Sequence, residues 1–293
     1  MGFLFRVPPP PVGKGYFAGG YGGTAEIDGL DFSNESSINP SATLVTARSG
    51  LTGVNSSTRG YFAGGIVMLN VIDGIQFSNE SSIDPSATLV TGRQGLAGTN
   101  SSTRGYFMGG SNGSSRYAFI DGIQFDTEVA IDPAAALGLA RDNLGGVSST
   151  TRGYVGGGYT TGPTTEIDGI QFDTEAAINP ASVLSTARRY LTGFNSSTRG
   201  FWAGGQLLNS NFSAEIDGIQ FDTEAAINPT AAISSVRYAP FGTNSNANGY
   251  IAGGYTGITT IDSFNFTSEA TAISSASLSV AHYMGASAQS GSL

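Results

Sequence analysis

An aromatic segment closed by paired glycines returns along this chain at nearly constant spacing. It reads Gly15-Tyr16-Phe17-Ala18-Gly19-Gly20 first, and comes back from Gly60, Gly105, Gly153, Gly200 and Gly249, at intervals of 45, 45, 48, 47 and 49 residues. A fixed period of this size means one supersecondary unit per repeat. Such a unit buries a core only by packing on its neighbours. The 293 residues would suffice for two ordinary domains, but the repeat overrides length and predicts a single body over 14–293, preceded by an arm over 1–13.

Each repeat divides into four short segments. The glycine-bounded aromatic piece suits a strand. A loop of variable sequence follows, and then a second strand-like piece, Glu-Ile-Asp-Gly-Ile-Gln-Phe in its fullest form at Glu166–Phe172 and Glu215–Phe221. A polar turn leads to a short segment with Pro40, Pro85, Pro133, Pro180 or Pro229. Proline cannot donate to a ladder, so this segment is expected to be the outer, edge strand. The last segment, Ala-Arg-x-x-Leu-x-Gly-x-x-Ser as at Ala47–Ser56, has small residues that suit an inner strand crowded near an axis.

Four antiparallel strands in each of six units predict an all-β fold, a single six-bladed β-propeller of four-stranded blades. The chain enters at the second strand of its first blade, because nothing like the inner strand precedes Lys14. Ala281–Ser287 matches the inner-strand segment, so the C-terminal strand is expected to complete the first blade and close the ring.

The glycine pair after an aromatic strand, the Ile-Asp strand and the Arg before the inner strand resemble kelch repeats, over Lys14 to Leu293. The tryptophan common in the outer kelch strand is missing, since Trp202 lies in a second strand. The resemblance therefore implies a kelch-like propeller. Near-identical repeats with Thr-Arg-Gly-Tyr-Phe-Ala-Gly-Gly also resemble repeat proteins of bacteriophage tails and fibres, cyanophages among them. That resemblance implies a virion component.

Two ionic positions recur in every repeat. One holds Asp28, Asp73, Asp121, Asp168, Asp217 and Asp262; the other holds Arg48, Arg93, Arg141, Arg188, Arg237 and His282. Both fall on one side of the disc, and they are expected to form a structural ring of buried pairs. Catalysis needs one asymmetric constellation with unlike pKa values, which a sixfold feature does not offer, so no catalytic residue and no enzyme activity are expected. With His282 alone and no cysteine, a zinc site is not expected. The Asp-Thr-Glu turns have too few oxygens for calcium and read as solvated. No metal or cofactor is expected. A net charge of −9 argues against nucleic acid or an anionic membrane as partner. No apolar run approaches a membrane span, and Met1–Val12 does not read as a signal peptide.

The repeats diverge in the loop after the glycine pair. These six loops present Tyr21, Met68, Tyr117, Phe119, Tyr159, Leu207, Phe212 and Tyr255, candidate binding residues, because tyrosine-rich loops on a rigid scaffold are a common recognition device. Phe3, Leu4, Phe5 and Val7, ahead of Pro8–Pro11, are candidates for docking into a neighbouring protein, with the prolines as a stiff spacer. The expected function is a non-enzymatic structural and binding protein of a phage tail, fibre or baseplate, in the virion. Its partners would be other virion proteins through the arm and a host-surface glycan or protein. The alternative is a secreted or cell-surface, lectin-like propeller that binds carbohydrate.

Overall fold

A computed structural model describes residues 13–255 and 257–290; the docking-arm candidates lie outside them. The described residues form six antiparallel sheets around one axis. From the axis outward, blade 1 runs Ala286–Ser290, Lys14–Ala18, Ile27–Asp31 and Ser36–Ile38. Blade 2 runs Thr52–Asn55, Arg59–Ala63, Ile72–Gln76 and Ser81–Ile83. Blades 3 to 5 repeat that order from Ala97–Asn100, Gly145–Ser148 and Thr192–Asn195, and blade 6 runs from Phe241–Asn244 to Thr271–Ser277. In blade 5 an extra strand, Ala232–Arg237, pairs with Ser213–Gln220. The fold is a six-bladed β-propeller. The C-terminal strand closes it, with Ala286 to Ser290 in register against Ala18 to Lys14. Among the described residues no helix is long and apolar enough to cross a membrane.

Two expectations about strand limits are corrected. The outer strands stop at Ile38, Ile83, Ile131, Ile178 and Ile227, and each proline sits two residues further on, outside the ladder. Proline here ends the edge strand instead of occupying it, as its missing N–H and its constraint on the preceding residue require. The inner strand likewise covers only the end of its segment. Ala-Arg-x-x-Leu precedes it and crosses one end of the disc.

Blades bury both faces against neighbours, which explains why the second strands read as continuous apolar runs. Tyr16 stacks on Phe77 of the next blade with ring centroids 5.4 Å apart. Tyr61 on Phe125, Tyr106 on Phe172, Tyr154 on Phe221, Phe201 on Phe266 and Tyr250 on Phe32 repeat the contact around the ring. Such stacks add about 0.5–1.5 kcal/mol each beyond area burial.

At the axis the limit is steric. A Cβ on Gly98 would collide with the carbonyl oxygen of Gly53, one on Gly146 with that of Gly98, and one on Gly193 with that of Gly146. These glycines keep ordinary φ. They are required because neighbouring inner strands converge, not because the backbone turns. The single Trp202 fits by a similar local exchange. It fills the space beside Gly145 and Gly156, and its Nε1 donates to the Gly145 carbonyl at 2.8 Å.

Candidate functional site

The two ends of the disc differ in kind. On one end, Arg59, the first residue of the second strand, meets Glu128 in the outer turn of the next blade, at 2.8 Å. Lys14–Glu80, Arg104–Glu175, Arg152–Glu224 and Arg199–Glu269 repeat this blade-to-blade pair. Tyr61, Tyr106 and Tyr154 donate their hydroxyls to the same glutamates. The glutamates that read as solvated turn residues are therefore interblade links. Each holds a positive φ, from 52° at Glu175 to 55° at Glu128 and Glu224, a conformation that costs an L-residue about 1–2 kcal/mol. Burial pushes the Tyr61, Tyr106 and Tyr154 hydroxyls up to about 12, with the nearby carboxylates adding to the shift.

The other end carries the recurring Asp and Arg positions and the divergent loops. Arg48 is fully buried and grips Asp73 with both terminal nitrogens, at 2.8 and 2.5 Å. Its remaining N–H groups donate to the carbonyls of Gly64, Phe62 and Thr46. Its own carbonyl accepts from Gly20 of the preceding blade, so the residue ties two blades together. Arg93–Asp121, Arg141–Asp168, Arg188–Asp217 and Arg237–Asp262 pair at the same positions, each through one terminal nitrogen. Burial pulls the Arg188 and Arg237 guanidinium groups below their ordinary pKa. The sixth position departs from the expected ring. His282 does not take Asp28, which instead accepts from Ser279 Oγ at 2.6 Å, and His282 Nε2 is buried without a hydrogen bond. Imidazole is too short, and has too few donors, to replace the guanidinium fork.

Just beyond the arginines the chain closes a second, smaller ring. Gly50 N–H donates to Met284, Met284 to Ala239, Ala239 to Tyr190, Tyr190 to Asn143, Asn143 to Gly95, and Gly95 back to Gly50, over 2.5–3.1 Å. All six have positive φ, between 52° and 70°. Glycine suits such a position, yet four blades place Asn143, Tyr190, Ala239 and Met284 there. Inside this annulus lies a shallow apolar bowl of about 70 Å³, floored by Leu51, Leu96, Leu144 and Leu191.

A further set of backbone bonds pins each divergent loop to the residue after the ring arginine. Tyr21 N–H donates to Tyr283, Tyr255 to Tyr238, Gln206 to Arg189 and Tyr159 to Asp142. This pairing brings aromatic side chains from blades 5, 6 and 1 together. Tyr21 stacks on Tyr283 at 4.6 Å. Tyr283 packs edge-on to Tyr255 at 5.1 Å, and Tyr255 to Tyr238 at 5.6 Å. Phe212 lies on Tyr238, and Tyr238 meets Tyr190 at 4.5 Å beside the bowl. The result is a continuous tyrosine-rich surface running from the axis to the rim, with Tyr21 61 % and Tyr255 43 % exposed. Burial raises the Tyr238 and Tyr283 hydroxyl pKa values, with neighbouring tyrosines adding to it.

Of the eight loop candidates, this surface takes Tyr21, Phe212 and Tyr255. Tyr159 stands beside it with the guanidinium carbons of Arg116 and Arg189 4.5 and 4.4 Å from its ring centre. Tyr117 and Phe119 stack only on each other, at 4.7 Å. Met68 and Leu207 join no aromatic contact: Met68 has positive φ, and Leu207 N–H closes its own turn on Asn211. Sequence reading missed Tyr190, Tyr238, Tyr283 and Arg189. The available signal was that a tyrosine stands one or two residues after the ring Arg or His in the last three copies, where the first three have Ser, Gln, Asp, Gly or Asn.

No family model matches this chain, and no curated protein matches it. Among solved structures it is similar to the structure of YjhT, with a TM-score of 0.68 and 12 % identity over 82 % of this chain and 87 % of that one. At that identity the likeness speaks for the propeller fold alone.

Proposed function

We propose that the protein is a non-enzymatic recognition module, a kelch-like propeller that serves in a phage tail, fibre or baseplate and engages the host surface. The observation that carries this reading is the tyrosine surface of Tyr21, Tyr238, Tyr255 and Tyr283. It is assembled where the repeats diverge and stands on a backbone annulus that accepts strain at Tyr190. Strained, non-glycine αL positions cluster at functional sites, and tyrosine gives large contact area at low entropic cost. Five of the six recurring aspartates are engaged in buried pairs with arginine, and the half-exposed bases of the opposite end in blade-to-blade pairs with glutamate, which supports a non-enzymatic role. The opposite end of the disc, with its repeated Arg–Glu links and the strand that begins at Lys14, is the side from which residues 1–13 would reach a neighbouring virion subunit.

A secreted or surface lectin-like role is the second reading. It is favoured by the same tyrosines, whose rings offer flat stacking faces and whose hydroxyls offer hydrogen bonds to sugars. Localisation separates the two: the first expects the chain in purified virions, the second in the cell envelope or medium. Replacing Tyr21, Tyr238, Tyr255 and Tyr283 by alanine should abolish target binding and leave assembly intact. Removing Met1 to Val12 should do the reverse. Undiminished binding by the fourfold variant would refute the recognition face.

A further inference from the structure

Among the described residues every lysine and arginine except one has a carboxylate partner. The exception is Arg189. In a chain with 22 acidic and 13 basic side chains, leaving a guanidinium unpaired runs against the prevailing pattern. Arg189 is also held rigidly. Its N–H donates to Gln206 O at 3.1 Å, its carbonyl accepts from Gln206 at 2.7 Å, and its Nε donates to Gln206 Oε1 at 3.0 Å. The guanidinium carbon sits 4.4 Å from the Tyr159 ring centre and 5.3 Å from that of Tyr190. Neither terminal nitrogen has a hydrogen-bond partner among the described residues. Arg116, on the same Tyr159 ring, is neutralised by Asp142 at 3.1 Å.

We infer that Arg189 is the anion-recognising group of the tyrosine face, and that the ligand taken there is an acidic saccharide, with a uronate carboxylate or a sulfate ester seated on the two free nitrogens of the guanidinium. This deepens the recognition reading and rests on it. A planar fork whose two terminal nitrogens are both free can aim one N–H from each at an oxyanion and match it bidentately. The two flanking rings and the Nε bond fix its orientation before the ligand arrives, which lowers the ordering cost of binding. Tyr190 places the same site directly against the aromatic surface, where the sugar rings would stack.

The test measures affinity of the full-length protein for alginate, dextran sulfate and neutral dextran, each at low and high salt. The wild type should bind at least one acidic polymer roughly tenfold or more tightly than dextran, the fold-change expected of one charge-assisted pair, and lose that margin as salt rises. Arg189→Gln should remove the margin at an unchanged melting temperature. Arg189→Lys, which keeps the charge and loses the fork, should restore only part of it. Equal binding of acidic and neutral polymers by wild type and Arg189→Gln would overturn the inference and leave the tyrosine face standing. Binding of none of the three polymers would overturn it as well. If Tyr238→Ala with Tyr255→Ala leaves all polymer binding intact, the recognition face itself fails, whatever Arg189 does.

Discussion

Replacing Asp73 by asparagine, with Asp28→Asn as an internal control, tests the architecture most directly. The two aspartates occupy equivalent positions in adjacent blades, and both are buried. Asp73 receives two bonds from Arg48 and a third from the Val45 N–H at 2.8 Å. Neutralising it leaves the fully buried Arg48 with carbonyl partners only, and an uncompensated buried charge costs about 3–5 kcal/mol. At roughly 2–3 °C per kcal/mol for a domain of this size, Tm should fall by about 6–15 °C. Asp28 faces no arginine and accepts from Ser279 Oγ. Its replacement weakens one hydrogen bond, at about 1 kcal/mol, or about 2–3 °C. Combining Asp73→Asn with Arg48→Met removes the stranded charge and should recover most of the loss. Calorimetry or urea melts of the three variants beside the wild type decide the matter. Equal losses for Asp28→Asn and Asp73→Asn, or a double variant worse than Asp73→Asn alone, would refute the assignment of Arg48–Asp73 as a stabilising buried ion pair.

Two further outcomes are expected. Tyr61, Tyr106 and Tyr154 are held neutral in the fold, with pKa values raised from 10.0 to about 12. Their contribution is full below about pH 10 and is lost as pH rises towards 12, so tyrosinate absorbance and loss of circular dichroism should rise together in that window; ionisation of all tyrosines below pH 10 with the fold intact would count against it. Gly98→Ala should cost about 1–3 kcal/mol by overpacking against Gly53 and Val54, whereas Gly162→Ala, whose Cβ would meet nothing closer than Leu208 at 3.7 Å, should be neutral or slightly stabilising in the same denaturant melts.

The period, the four segments per repeat and the missing inner strand before Lys14 are local properties of the chain. They were enough to specify a six-bladed propeller closed by its C-terminal strand. Strand-forming runs and turn residues are encoded within a few neighbours, so a single sequence exposes them. The recurrence of Asp and Arg likewise marked two structural positions without any knowledge of distance. The interblade partners were not legible in this way. Arg59 meets Glu128, and Tyr21 meets Tyr283; nothing local marks such pairs, and they exist only once blades pack in a definite rotational register. The limits of the inner strands were not legible either: Ala-Arg-x-x-Leu lies outside the ladder, with one residue of it, Gly50 in blade 2, in the left-handed annulus. The tyrosine face could be assembled only at the level of blade packing. Half of its members come from the segment that reads as an inner strand: Tyr238 and Tyr283 meet the loops of their own blades at Tyr255 and Tyr21, and Tyr190 joins them through Tyr238.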